Sequence, residues 1–375
     1  MVTRLLWALQ QPTPYNCYLL NELSTRLDLP SEAVYRWSSL ASHPWVRLPP
    51  RRFPWRVAER PGGRDSALEH RCAREANTLV IFAGWRDSTI RPALLARWRQ
   101  ALPYAFWTDT PKMSRSPLRR MLNRTFVFFA RAAVTTLATG TPAIERYRSM
   151  GVPLERLENF PFVVDPAHFG AAVARRATGE NDDTIRFLLP ARLIDGIKGQ
   201  SVAIEALARA RAASGGRKLE LILAGVGPDE SELRKRARQL GVAEAVRFAG
   251  WVEYADLPDL FAAADALVLP SRWDPFPVAV IEAMAAGLPV LGSDACGSVR
   301  ERVRHEENGF VHHAGDVAVL AEHMRALAAD SGLRTRMGRS ALHISKARGI
   351  DHCADVLRGI LSRYSDGNRS AVTPA

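Results

Sequence analysis

Cysteine is scarce in this chain. Four (Cys17, Cys72, Cys296 and Cys353) are scattered over 375 residues. No pair has CxxC or metal-ligand spacing, which excludes a disulfide scaffold and a thiolate zinc site. They read as reduced thiols of a cytoplasmic protein. Long hydrophobic runs are missing too: none reaches the roughly 18 residues of a membrane span. The opening "MVTRLLWALQQPTPYN" lacks the apolar core and small-residue cleavage site of a signal peptide and reads as a strand and turn. Internal repeats are absent. So is any motif for nucleic acid, which the basic charge alone would otherwise suggest.

Acidic residues are thin in the first half. Residues 1–180 hold 26 Lys+Arg against 14 Asp+Glu, while residues 181–375 hold 25 of each, so the net +12 lies entirely in the first half. An Arg-rich, Lys-poor surface explains the choice of arginine but not this asymmetry. The asymmetry suggests an anionic partner, such as a membrane surface, a polyanion or a phosphorylated substrate.

What is present is ordinary globular composition, 47% hydrophobic and 24% charged, in a chain long enough for about two domains. Short apolar runs alternate with helical patterns: "VTRLLWAL", a helix from about Tyr15 to Leu27, "NTLVIFAGW", "RPALLARWRQAL", "PYAFWTDTP", "LRRMLNRTFVFFARA", "AVTTLAT" and "PAIERYRSMG". Residues 40–64 look irregular. A composition break spans "NFPFVVDPAHF" and "TGENDD", after which the alternation restarts through "TIRFLLPAR" and "LELILAGVG". Such alternation implies parallel sheets covered on both faces, hence two doubly wound α/β domains. The expected boundaries are 1–168 and 169–345. Residues 346–375 are expected to give a helix packing back toward the first domain and then a disordered tail.

In open α/β sheets ligands sit beyond the carboxyl ends of strands. Three strand ends of the second half attract attention. In "LLPARLIDGIKGQ", Arg192 and Lys198 flank a turn before a helix, a cradle for a diphosphate. A pair of solvated loop cations is the plainer alternative. In "LILAGVGPDE", Gly225 and Gly227 make a tight turn that lets backbone approach a ligand, a weak signal alone. In "WDPFPVAVIEAMAAGLPVLGSD", Asp274 lies in the turn, Phe276, Pro277 and Val278 lead into a helix, and Glu282 follows one turn inside it. A carboxylate in so apolar a helix is costly without partners. Two cations and a helix N-terminus for a diphosphate, with carboxylates for a ribose diol and for sugar hydroxyls, together describe a nucleotide-diphosphate sugar.

From "ARLIDGIKG" through "DPFPVAVIEAMAAGLPVLGSD" to "GSVRERVRHEENGFV", the second half resembles the retaining GT-B glycosyltransferases of family four. The resemblance implies two Rossmann-like domains facing across a cleft. It places Arg192 and Lys198 on the diphosphate, Glu282 on the ribose and Asp274 on the donor sugar. Asp274 stands where the family has Glu, and Pro277 where it has Gly. Glu301 fills the acidic slot of a further motif. Trp251, closing "AVRFAGW", joins the donor set with Gly225 and Gly227. The first half matches loosely. Tyr15 and Asn16 replace a Gly-Gly turn, and Asp109 takes the place of a His near the sugar, with a turn or N-cap role as its alternative. Tyr15, Asn16, Gly84 and Trp85 are the acceptor-side candidates.

The implied activity is transfer of a hexose-type sugar, with retention, to a glycan or lipid-linked glycan in bacterial envelope or exopolysaccharide synthesis. No dedicated base is required, because the leaving phosphate takes the acceptor proton. No cofactor is expected, and the missing Asp-x-Asp motif argues against a metal bridge. Arg115, Arg119, Arg120 and Arg124, followed by Phe126, Phe128 and Phe129, suit an anionic membrane surface on the cytoplasmic side. Two other readings stay open: a nucleotide-sugar 2-epimerase and a non-catalytic nucleotide-sugar-binding partner subunit.

Overall fold

The computed structural model describes residues 2–39, 48–60, 62–112, 116–178 and 183–365. They divide into two compact units, Met1–Val163 with Arg348–Ala375, and Val164–Ala347. The switches thus fall at 163/164 and 347/348, a few residues from the boundaries drawn at 168/169 and 345/346.

Unit 1 holds strands β1 (Arg4–Leu9), β2 (Ser31–Tyr35), β3 (Trp55–Val57), β4 (Thr78–Phe82), β5 (Tyr104–Thr108), β6 (Thr135–Ala138) and β7 (Leu157–Asn159). Its helices are α1 (Pro14–Arg26), α2 (Ser66–Arg74), α3 (Ile90–Arg99), α4 (Pro117–Ala132) and α5 (Thr141–Ser149). The sheet order is β3-β2-β1-β4-β5-β6-β7, and every neighbouring pair is parallel. Alternation along β1 shows how the sheet is covered. Leu5, Trp7 and Leu9 face one core with Leu19, Leu20 and Leu23 of α1. Leu6 and Ala8 face the other, with Leu68 of α2, Leu94 of α3 and Phe126 of α4.

Unit 2 begins with α6 (Pro166–Thr178), followed by β8 (Ile185–Pro190), α7 (Asp195–Lys198), α8 (Gln200–Ala212), β9 (Leu219–Ala224) and α9 (Glu230–Gln239). Then come β10 (Val246–Gly250), α10 (Leu257–Ala262), β11 (Ala266–Leu269), α11 (Val278–Ala285), β12 (Val290–Ser293), α12 (Gly297–Arg302), β13 (Gly309–His312), α13 (Val317–Ala329) and α14 (Ser331–Ala347). Its parallel sheet runs β10-β9-β8-β11-β12-β13. The last helix, α15 (Ile350–Ser365), belongs to unit 1. It sets Ile350, Leu357 and Ile360 into the α1 core.

Three features differ from the sequence reading. The stretch 40–64 is not wholly irregular, because β3 lies in it and pairs with β2; residues 40–47 and 61 lie outside the described residues. Helix α2 went unread, although Asp65 caps it by accepting from the Leu68 N–H at 2.7 Å. The composition break contains a helix start. The Asp165 carboxylate accepts from the N–H groups of Ala167 (2.9 Å) and His168 (3.3 Å), and Pro166 takes the first helical position of α6. The tail beyond residue 365 and the segment 179–182 lie outside the described residues. Among the described residues no helix is long and apolar enough to cross a membrane.

Candidate active site

Sheet order decides which loops meet. In unit 2 the chain leaves β8 toward β9 and β10 on one side and returns to β11 on the other. The order reverses between β8 and β11, and their carboxyl ends frame the crevice where such sheets bind ligands. The loop after β8 carries Arg192 and ends in α7 with Lys198. The loop after β11 carries Asp274. The two are joined by an ion pair, Lys198 Nζ to Asp274 Oδ2 at 2.5 Å. Its carboxylate is 8% exposed.

Backbone contacts hold both loops in place. The Arg272 N–H donates to the Ile197 carbonyl at 2.7 Å. Gly199, at φ +70°, passes so close to the Pro270 carbonyl that a Cβ would overlap it. Asp274 is pinned from its other side: its N–H donates to Ala295 O (3.2 Å) and its carbonyl accepts from the Gly297 N–H (3.0 Å). Ser298 Oγ donates to Pro277 O at 2.8 Å, tying the start of α12 to the entry of α11.

Helix α11 starts at Val278, with Pro277 as its N-cap and the Phe276 ring buried beneath. Pro277 has no N–H, and Val280 donates back to the Pro277 carbonyl at 3.3 Å. The first-turn donors that this geometry leaves for a ligand are those of Val278 and Ala279. Glu282 lies one turn further on and is half-buried. Burial pushes its carboxyl up to about 7. Its carboxylate has no hydrogen-bond or ion-pair partner among the described residues, unlike Asp274.

Gly225 and Gly227 serve a purpose that the sequence did not reveal. The backbone they approach is the protein's own. A Cβ on Gly225 would collide with the Ala191 carbonyl, and one on Gly227 with the Leu193 carbonyl. The two glycines let the loop after β9 lie against the loop carrying Arg192. The Leu193 N–H donates to Val226 O (3.1 Å), and Gln200 Nε2 donates to Arg192 O (2.8 Å). Trp251, just past the edge strand β10, is held by its indole N–H on Glu253 Oε1 at 2.8 Å. The Gly250 carbonyl accepts from the Gly225 N–H at 2.7 Å.

The unit 1 candidates separate into two groups. Asn16 is buried and its amide is engaged at both ends. Its Oδ1 accepts from the Thr13 N–H (2.9 Å), its Nδ2 donates to Gln11 O (2.8 Å), and with Thr13 it forms the capping box of α1. Tyr15 packs on Phe162, with ring centroids 4.8 Å apart. Gly84, at φ +106°, turns the chain after β4 beside the Gln10 amide. Trp85 and Asp109, by contrast, share a cavity of about 210 Å³ at the ends of β4 and β5. Asp109 Oδ1 accepts from Thr139 Oγ1 (2.9 Å), and its carbonyl accepts from the Tyr147 hydroxyl (2.7 Å).

The basic helix is also divided. Phe126 and Phe129 are core residues, while Phe128 is 44% exposed. Arg119, with Asn123 and Phe126, lines the cavity. Arg120 and Arg124 are exposed. Arg115 lies outside the described residues. Cavity residues that the sequence reading missed are Arg86, Lys112 and Tyr147. A usable signal was their position at or opposite the carboxyl ends of β4 and β5.

Comparison with known proteins agrees with this arrangement. A model of the family "Glycosyl transferases group 1" matches residues 172–343. The chain is 32% identical over 330 residues to a D-inositol 3-phosphate glycosyltransferase of Streptomyces coelicolor, covering 78% of this chain and 71% of that protein. It is 35% identical over 140 residues to the lipopolysaccharide core biosynthesis glycosyltransferase LpsE of Rhizobium meliloti, covering 37% of this chain and 38% of that one. In structure it is similar to Anabaena HepE in complex with UDP (TM-score 0.75, 20% identity, 96% of this chain and 100% of the other). A complex of the same protein with UDP-glucose gives a TM-score of 0.71 at 20% identity, covering 96% and 99%. Extended similarity in sequence and two parallel α/β units of the GT-B type place this chain in the glycosyltransferase group 1 family.

Proposed function

We propose that the chain transfers a hexose-type sugar, with retention, from a nucleotide-diphosphate sugar to a glycan or lipid-linked glycan in bacterial envelope or exopolysaccharide synthesis. The observation that carries this reading is the Lys198–Asp274 ion pair at the β8/β11 switch point, beside the N-terminus of α11. Arg192 and Lys198 supply positive charge for the leaving diphosphate, and the N–H groups of Val278 and Ala279 add fixed donors. Donors arranged before the reaction stabilise charge that grows in the transition state. Asp274 holds the Lys198 ammonium in position and offers its second oxygen to sugar hydroxyls. Glu282, half-buried without a protein partner among the described residues, accepts from the ribose diol. The leaving phosphate takes the acceptor proton, so neither a protein base nor a metal ion enters the scheme. The UDP and UDP-glucose bound by Anabaena HepE support a uridine nucleotide as the first donor to test.

The acceptor belongs to unit 1, and exposed Arg120, Arg124, Met121 and Phe128 of α4 form its contact with an anionic membrane on the cytoplasmic side. Titration calorimetry with UDP, GDP, ADP and dTDP tests the donor half. One nucleotide should bind, and Lys198→Ala and Glu282→Ala should each weaken it about tenfold or more, the size of one charge-assisted hydrogen bond. Absence of binding at millimolar nucleotide would sink the transferase reading.

A further inference from the structure

Helix α4 presents two different faces. Arg120, Arg124, Phe128 and Arg131 recur at four, four and three residues, and all are exposed. Arg119, Asn123 and Phe126 recur at four and three residues on another side, and these three line the unit 1 cavity. Toward its C-terminal end that side meets the sheet, where Phe129 and Ala130 join the core. Toward its N-terminal end it meets the cavity instead.

The walls of this cavity have a definite chemistry. Among the described residues, Arg86, Lys112 and Arg119 contribute three cations against one carboxylate, Asp109. Neither Arg86 nor Arg119 has a carboxylate partner among the described residues. Asp109 has a fixed orientation, with Oδ1 on Thr139. Neutral polar groups come from Asn123 and from the Tyr147 hydroxyl, which sits 3.0 Å from Thr108 Oγ1. Trp85 packs on Phe126 (6.2 Å between centroids), and Phe126 on Tyr147 (5.1 Å), which makes one wall aromatic. The Arg86 guanidinium lies 5.1 Å from the centre of the Trp85 ring. The volume of about 210 Å³ matches about seven waters' share of liquid, room for one ring and its substituent rather than a chain of sugars.

We propose that this cavity binds the phosphate-bearing end of a hydroxylated acceptor, a sugar or polyol phosphate ester. Arg86, Arg119 and Lys112 hold the phosphate, Asp109 and Asn123 the hydroxyls, and Trp85 the apolar face of the ring. A phosphate monoester carries close to two negative charges, and the described lining has two positive charges in excess. A single carboxylate would leave one uncompensated. The proposal deepens the transferase reading by giving its acceptor a chemical class, and it rests on that reading for the word acceptor. The anion site itself stands on these residues alone.

The test is a titration of the full chain at low salt with glucose 6-phosphate, glucose, glucuronate and inorganic phosphate, followed by tryptophan emission and calorimetry. Glucose 6-phosphate should saturate the protein and bind more tightly than the other three. Arg119→Gln and Arg86→Gln should each weaken it about tenfold to hundredfold, the range for one hydrogen bond to a charged group. Arg120→Gln, one residue along α4 on the solvent face, should leave it unchanged. All three positions are exposed, and thermal melting checks that the variants stay folded.

Vesicles containing phosphatidylinositol 4-phosphate, whose head group carries a phosphate monoester on its ring, separate the two sources of such a phosphate. Displacement of glucose 6-phosphate that requires Arg119 assigns the site to a lipid head group, and no displacement assigns it to a soluble ester. Failure of glucose 6-phosphate to saturate, tighter binding of glucuronate, or equal weakening by Arg120→Gln overturns the proposal. Titrating the same samples with UDP keeps the two readings apart. Intact UDP binding without glucose 6-phosphate binding removes only the cavity, whereas the reverse removes only the donor site.

Discussion

Glu282 carries a conflict between folding and binding. Burial raises its carboxyl from 4.5 to about 7, so the folded protein favours the protonated form and ionisation costs stability. The folded value lies above the unfolded one. The stabilising contribution is therefore complete below pH 4.5 and is lost as pH rises through 7. The full difference corresponds to about 3 kcal/mol. A ribose diol donating to the carboxylate needs the charged form instead. Nucleotide affinity should then fall as pH drops below 7, by up to about tenfold per pH unit. Glu282→Gln should bind weakly at every pH and melt higher than wild type at pH 8, by about 1–3 kcal/mol of stability. Calorimetric titrations and melting curves at pH 6, 7 and 8 check both halves. A pH-independent wild-type affinity would show that Glu282 does not touch the nucleotide. The sequence made this residue visible because a carboxylate in "VAVIEAMAAG" has no local reason to be there. Its pairing preference was not visible. Asp274 finds Lys198 only because β8 and β11 are neighbours, and that adjacency is a property of the sheet order.

At the scale of elements, α4 shows what periodicity reveals and what it hides. Arginine every few residues announces a basic helix, but the sequence cannot say which arginines face the sheet. The core position of Phe126 decides it: Arg119 and Asn123 fall on its side, and Arg120, Arg124 and Phe128 fall opposite. Arg86 and Lys112 gave only a positional signal, at the carboxyl ends of β4 and β5, because a loop cation beside a cavity otherwise reads like one in water. Gly225 and Gly227 were visible as a turn, but the partner they accommodate is the loop after β8, contacted through pairing of β8 with β9. The outer face of α4 makes a separate prediction. Each basic residue at an anionic bilayer contributes about 1 kcal/mol. Arg120→Gln/Arg124→Gln should therefore reduce binding of the full chain to phosphatidylglycerol vesicles about thirtyfold at low salt. Raising ionic strength should weaken the wild type likewise. Vesicle sedimentation measures this, and wild type that ignores such vesicles would refute the membrane contact.

At the scale of the whole molecule, the chain order hides one dependence. Unit 1 is closed by residues that arrive after all of unit 2. Helix α15 inserts Ile350, Leu357 and Ile360 into the core built on Trp7 and Trp107. It is fixed at its rim by Arg26 on Asp351 (3.0 Å), His352 on the Asn159 carbonyl (2.9 Å) and Arg363 on Glu158. The exposed ion pairs add little. The three large apolar side chains contribute most, at about 1.5–3 kcal/mol each when fully buried. Their loss is on the scale of the 5–15 kcal/mol that holds a typical domain together. A chain ending at Ala347 should therefore lose the packing of unit 1 while unit 2 keeps its own closed core. Tryptophan emission should shift to the red as Trp7 and Trp107 meet water, and the calorimetric enthalpy should fall by far more than the share of the deleted residues. Nucleotide binding, all of whose proposed residues lie in unit 2, should persist in the same sample. If emission and enthalpy instead stay near those of the full chain, α15 is an accessory to unit 1 rather than part of its core.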